Sequence, residues 1–132
     1  MSPFLIVIIV LLSLFIFFQV GFYIKSRQSV GDLISFDKIE NEIRGQTKDK
    51  KGLLYLYSPT CHNCKTQTPI IEKLKNEINN IISIDASQNP KTSRALNVMG
   101  TPSIIFFSGN IIRGYYVGVK SESFILDKLQ SI

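Results

Sequence analysis

Ser58-Pro59-Thr60-Cys61-His62-Asn63-Cys64-Lys65 follows the run Leu53-Leu54-Tyr55-Leu56-Tyr57 and precedes apolar residues at helical spacing, Ile70, Ile71, Leu74 and Ile78. The run carries no charge and does not alternate, which predicts a strand buried on both faces. The stripe predicts a helix from Cys61 to about Asn79, ended by Asn79-Asn80. Both cysteines of the chain therefore fall at a strand-to-helix junction, two residues apart. A helix N-terminus carries unpaired N–H groups and roughly half a positive charge. A thiolate placed there is stabilised, so the thiol ionises more readily than a free one. Cys61 comes first and is the expected exposed nucleophile. Cys64, one turn on, lies behind it at a distance suited to a small disulfide ring.

Other uses of the pair are less economical. A structural zinc site takes four protein ligands. The chain offers two Cys and one His, and His62 sits inside the pair. No second C-x-x-C or H-x-x-H is present, so no metal ligands are assigned within one chain. A shared site in a dimer, or a soft metal such as Cu(I), stays open on these residues. His62 beside Cys61 either stabilises the thiolate when protonated, or takes part in proton transfer, or is a plain solvent-exposed imidazole.

Outward from this centre the pattern continues. Ile81 to Asp85 reads as a strand. Asn89-Pro90 reads as an N-cap with proline at the first helical position, opening a short helix to about Asn97. Ser103 to Phe107 and Ile111 to Val117 read as strands of a hairpin around Ser108-Gly109-Asn110. Ser121 caps a last helix that turns Ile125, Leu129 and Ile132 inward. Upstream, Phe36, Ile39 and Ile43 predict an amphipathic helix over residues 35–44, and Gly45 to Gly52 a polar, Lys-rich loop. The order is helix, strand, helix, strand, helix, strand, strand, helix. It predicts an α/β fold with a mostly parallel sheet and an antiparallel edge.

The N-terminus is different in kind. Residues 4–24 contain no charged side chain and hold five of the nine phenylalanines, Phe4, Phe15, Phe17, Phe18 and Phe22. At about 1.5 Å per residue they make a helix of about 31 Å, the thickness of a bilayer core of ~30 Å. This explains a mean hydropathy of +0.16. A cleaved signal peptide fits poorly: no Lys or Arg precedes the apolar run, the run is too long, and no small-x-small site follows it. The expectation is an uncleaved single-pass anchor over 4–24, a linker over 25–34 and one domain over 35–132. Two cysteines exclude a disulfide-rich scaffold, and 132 residues exclude a multi-domain enzyme. The excess of 15 Lys and Arg over 10 Asp and Glu lies partly in Lys48, Lys50 and Lys51, a solvated loop. Basic residues do not interleave with aromatics, so no nucleic-acid partner is expected.

With these residues in view the segment 35–131 resembles the thioredoxin family. Cys61 and Cys64 match its redox pair, Lys65 follows the second cysteine, and Pro69 falls where the family kinks its helix. Met99-Gly100-Thr101-Pro102-Ser103 resembles the cis-proline segment, and Val117-Gly118 the Val-Gly of the substrate groove. Five positions depart from the pattern. Thr60 replaces the family's tryptophan, His62-Asn63 replaces Gly-Pro, and Tyr55 and Ile81 replace a buried acid and its lysine. The resemblance implies a thioredoxin-like three-layer fold with a mixed central sheet behind one transmembrane helix. It implies a thiol–disulfide oxidoreductase in which Cys61 is the nucleophile and Cys64 resolves. Thr60, His62, Thr101, Pro102 and Gly118 would bind substrate or tune the pair. No organic cofactor is implied beyond the Cys61–Cys64 disulfide. The expected partners are protein thiols or disulfides, an upstream electron donor or acceptor, and a lipid bilayer around residues 4–24. The alternative is a metallochaperone or assembly factor that binds Cu(I), or that keeps metal-site or haem-site cysteines reduced. Lys25, Arg27, Lys38 and Arg44 follow the span and none precedes it, which by the positive-inside rule puts the domain in the cytoplasm. Anchored relatives usually face outward, and the extracytoplasmic (periplasmic) side is the expectation taken.

Overall fold

The computed structural model describes residues 1–27, 38–39 and 41–132. Nine elements follow in order: α1 (Pro3–Arg27), α2 (Asn41–Thr47), β1 (Lys51–Tyr57), α3 (Cys64–Glu77), β2 (Ile81–Asp85), α4 (Pro90–Ala95), β3 (Ser103–Ser108), β4 (Ile111–Val117) and α5 (Glu122–Ser131). The strands form one sheet in the order β2-β1-β3-β4.

β1 pairs with β2 in parallel and with β3 antiparallel, and β3 pairs with β4 antiparallel. The sheet is mixed, as the family resemblance implies. Alternation of strands and helices alone predicts a mostly parallel sheet, and the antiparallel pairing here reaches past the edge to the central strand β1. The reason lies in where β3 enters. The chain leaves β2, passes α4 and meets β1 at its C-terminal end, where Ser103 pairs with Leu56. At that same end Tyr57 pairs with Asp85, and Ser103 with Val117. One end of the sheet therefore gathers the exit of β1, the entry of β3 and the exit of β4.

The alternation of β1 builds two cores. Leu54 and Leu56 face Ile43 of α2 and Leu96 after α4. Leu53 and Tyr55 face Ile71 and Leu74 of α3 and Ile125 of α5. Helices on both faces of the sheet give three layers, the thioredoxin-like α/β architecture. Burying each such Leu or Ile contributes about 1.5–3 kcal/mol over leaving it exposed. Leu129 and Ile132 pack at the margin of the second core, as their spacing predicts.

Several boundaries differ from expectation. α3 begins at Cys64, not Cys61, because two turns precede it: the Cys61 amide donates to the Ser58 carbonyl at 3.1 Å, and after Cys61 the Lys65 amide donates to the His62 carbonyl at 3.1 Å. α3 stops at Glu77 because Ile78 adopts an extended conformation. The helix expected over 35–44 is seen as α2 and runs on past Gly45 to Thr47; Thr47 is buried, and its hydroxyl donates to the Ile43 carbonyl. Phe36 lies outside the described residues, as does most of the expected linker, while residues 25–27 continue α1. Asn89 does not cap α4 with its side chain; its Nδ2 donates instead to the Asp85 carbonyl at 2.9 Å. Ser121 does cap α5, accepting from the Phe124 amide at 3.2 Å.

α1 is one helix long and apolar enough to cross a membrane, with a mean hydropathy of 2.9 over Pro3–Ile24. Its side chains from Phe4 to Ile24 are exposed all round.

Candidate functional site

The site forms where β1 ends. Ser58-Pro59-Thr60 carries the chain off the sheet, and the Ser58 and Thr60 hydroxyls bond each other at 3.1 Å. Cys61 and Cys64 are joined as a disulfide, with Cα atoms 5.3 Å apart. Their burial differs. Cys64 is 3% exposed, whereas Cys61 is half-buried. The amide of Cys64, first residue of α3, donates to Cys61 Sγ at 3.2 Å. The helix thus reaches back to the outer sulfur even though that cysteine precedes it. A donor so placed favours negative charge on the sulfur that accepts it.

Below the disulfide lies Tyr55, fully buried. Its hydroxyl bonds Thr68 Oγ1 at 2.9 Å and is 3.5 Å from the Cys64 carbonyl oxygen. Burial raises the Tyr55 pKa above the usual phenol value, and the Thr68 hydrogen bond opposes this less strongly. Beside the sulfurs is a cavity of about 370 Å³ lined by Tyr57, Pro59, Cys61, Cys64, Thr68 and Pro69 among others.

A second loop stands at the same end of the sheet. The Thr101-Pro102 peptide bond is cis. Pro102 is buried and Thr101 half-buried. The Gly118 amide donates to the Pro102 carbonyl at 2.8 Å. Gly118 holds φ +91°, a conformation that L side chains rarely adopt. The Tyr115 hydroxyl accepts from the Met99 amide at 2.9 Å and lies 3.4 Å from Ser103 Oγ, which itself donates to the Gly100 carbonyl. Tyr115 therefore pins the cis-proline loop from inside the core.

Of the residues expected from sequence, Cys61 with Cys64 and Pro102 with Gly118 are directly linked. Thr60 and His62 are exposed beside the disulfide, and neither lines the cavity. Among the described residues no three His, Cys, Asp or Glu side chains gather as a metal site. Sequence reading missed Thr68, Tyr115 and Gln67. Gln67 is fully buried; its Nε2 donates to the Lys120 carbonyl at 3.2 Å, and its Oε1 accepts from the Lys120 amide at 2.6 Å. This ties α3 to the loop that carries Gly118. The signal was present: Gln67 is the one polar member of the stripe Gln67, Ile71, Leu74, Ile78.

Comparison with known proteins agrees with this geometry. A segment of NADPH-dependent thioredoxin reductase 3 from Arabidopsis thaliana is 36% identical over 74 residues, 53% of this chain and 14% of that protein. The thiol:disulfide interchange protein DsbD of Campylobacter jejuni (strain RM1221) is 30% identical over 107 residues, 73% of this chain and 18% of that protein. The chain thus spans under a fifth of either relative. Among solved structures, a mutant thioredoxin from Halobacterium salinarum NRC-1 superposes with a TM-score of 0.64 at 24% identity, covering 70% of this chain and 83% of that one. The family model described as Thioredoxin matches residues 34–131, and the chain belongs to the thioredoxin family.

Proposed function

We propose that the chain is a membrane-anchored thiol–disulfide oxidoreductase. The observation that carries the reading is the asymmetry of the pair: a half-buried Cys61 whose sulfur accepts the first amide of α3, and a buried Cys64 behind it. In the reducing direction the Cys61 thiolate attacks a substrate disulfide and releases one substrate sulfur as a thiol. The Cys64 thiolate then attacks Cys61 Sγ of the mixed disulfide. The Cys61–substrate bond breaks, the Cys61–Cys64 bond forms, and the second substrate sulfur leaves and takes up a proton. Two electrons pass from the dithiol to the substrate. Oxidation of a substrate dithiol runs the same steps in reverse.

The reading requires no organic cofactor. It requires a donor or acceptor that resets the pair. The printed name of the DsbD relative, a disulfide interchange protein, supports protein thiols or disulfides as the substrate class. Thr101, Pro102 and Gly118 would hold an extended substrate segment by its backbone, with Thr60 and His62 at the rim. The domain is assigned to the extracytoplasmic side.

Trapping tests the roles of the two cysteines. Cys64→Ser is expected to accumulate mixed disulfides with partner proteins on non-reducing gels, and Cys61→Ser is not. Equal behaviour of the two variants would overturn the assignment.

A further inference from the structure

Tyr55 and Thr68 form a hydroxyl chain from the sheet interior to the wall of the cavity beside the sulfurs. Thr68 stands one turn after Cys64 on α3, where positions i and i+4 share a face. Helical side chains lean toward the N-terminus, so the Thr68 side chain covers the turn that begins at Cys64. Either hydroxyl of the pair can be the donor. With Thr68 donating, the Tyr55 O–H is directed to the Cys64 carbonyl. With Tyr55 donating, the Thr68 O–H is free for another acceptor, and Thr68 lines the same cavity as both cysteines.

We propose that Tyr55 and Thr68 are positioning residues for Cys64: on reduction Tyr55 donates to Thr68, and Thr68 donates to the Cys64 sulfur, favouring its thiolate. The inference deepens the oxidoreductase reading and rests on it. Cys64 gives its proton to solvent and keeps the electron pair that attacks Cys61 Sγ. Neither hydroxyl gives up an atom; the pair changes only how readily the sulfur holds charge. Burial keeps the Tyr55 O–H protonated, and so able to donate. The titratable groups around it are Tyr57 on β1 and Glu72 on α3, with Lys65 at the cavity. Its strand partners Ser83 and Ile104 carry no charge, and α5 contributes the apolar Ile125.

The test uses the full chain in detergent with Cys61→Ser, which leaves Cys64 as the remaining thiol. The rate of iodoacetamide alkylation is followed against pH. Thr68→Val is expected to raise the midpoint by about one pH unit, the size of one hydrogen bond to a charged group. Tyr55→Phe raises it by less, and Thr68→Ser restores it. An unchanged midpoint in both Thr68→Val and Tyr55→Phe overturns the proposal. So does a shift in Thr68→Ser equal to that in Thr68→Val, because the hydroxyl would then not be its cause. Exchange of the unmutated disulfide with glutathione is measured alongside. Its absence would overturn the oxidoreductase reading and leave the alkylation profile to decide the hydroxyl pair.

Discussion

Asp85 closes β2 with a carboxylate oxygen that accepts from the Ser87 hydroxyl at 2.5 Å and the Ser87 amide at 2.9 Å. The hydroxyl bond is the main cause holding its carboxyl below the usual range; desolvation opposes it, and the amide bond adds to it. The sign follows. A carboxyl whose folded pKa is depressed contributes stability above its unfolded value, ~3.9, and that stability is lost as pH falls through the folded value. Ser87→Ala is therefore expected to melt below the unmutated protein at pH 6. The gap should close as the pH falls below about 4. Thermal melts from pH 2 to 7 check this, and a gap that persists at the acid end would assign the effect to something other than Asp85. At this scale the sequence disclosed its reactive residues better than their supports. Cys61 and Cys64 stand out by spacing and Pro102 by its neighbours, whereas Thr68 and Tyr115 act only through contacts across the fold. Thr68 meets Tyr55 across 13 residues and Tyr115 meets Met99 across 16, and no local pattern encodes such a meeting.

Among the elements, α3 connects the two halves of the site. It presents Cys64 at its first turn, Thr68 to the cavity and Gln67 to the loop before α5. Gln67→Ala would leave the Lys120 amide and carbonyl without their partner, at a cost of about 1–3 kcal/mol. Urea unfolding should show a lower midpoint with an unchanged slope. Because Lys120 lies two residues from Gly118, which holds the Pro102 carbonyl, trapping of substrate by Cys64→Ser should also weaken in this background. The strands and α5 were legible because hydrophobic runs and a serine cap are local signals. The start of α3 was not, because hydrogen bonds of the Cys61-His62-Asn63 turn replace the first helical turn. Nor was the direction of β3 against β1 legible in the periodicity. It depends on the end at which the chain re-enters the sheet after α4, and helix–strand alternation does not record that.

The whole molecule combines a domain with two buried cores and a helix with none. From Phe4 to Ile24 every side chain of α1 is exposed, Phe17 at 81% and Phe18 at 74%. An apolar surface of that extent is stable in a bilayer and a liability in water. The expected result is a full chain that stays with membranes through an alkaline carbonate wash, and a chain lacking residues 1–27 that does not. Release of the full chain by the wash would overturn the anchor. The side is read separately, by labelling reduced Cys61 in intact cells with a membrane-impermeant maleimide against lysed controls. Labelling in intact cells is expected. Labelling confined to lysates would place the domain inside, where Lys25 and Arg27 direct it under the positive-inside rule. The two outcomes carry different chemistry. A pair whose own potential lies above that of a cytosolic glutathione pool, at about −220 to −320 mV, is kept mostly reduced and donates electrons. Outside that pool the direction follows the partner that resets the pair, so the labelling outcome also selects between a donor and an acceptor role for Cys61.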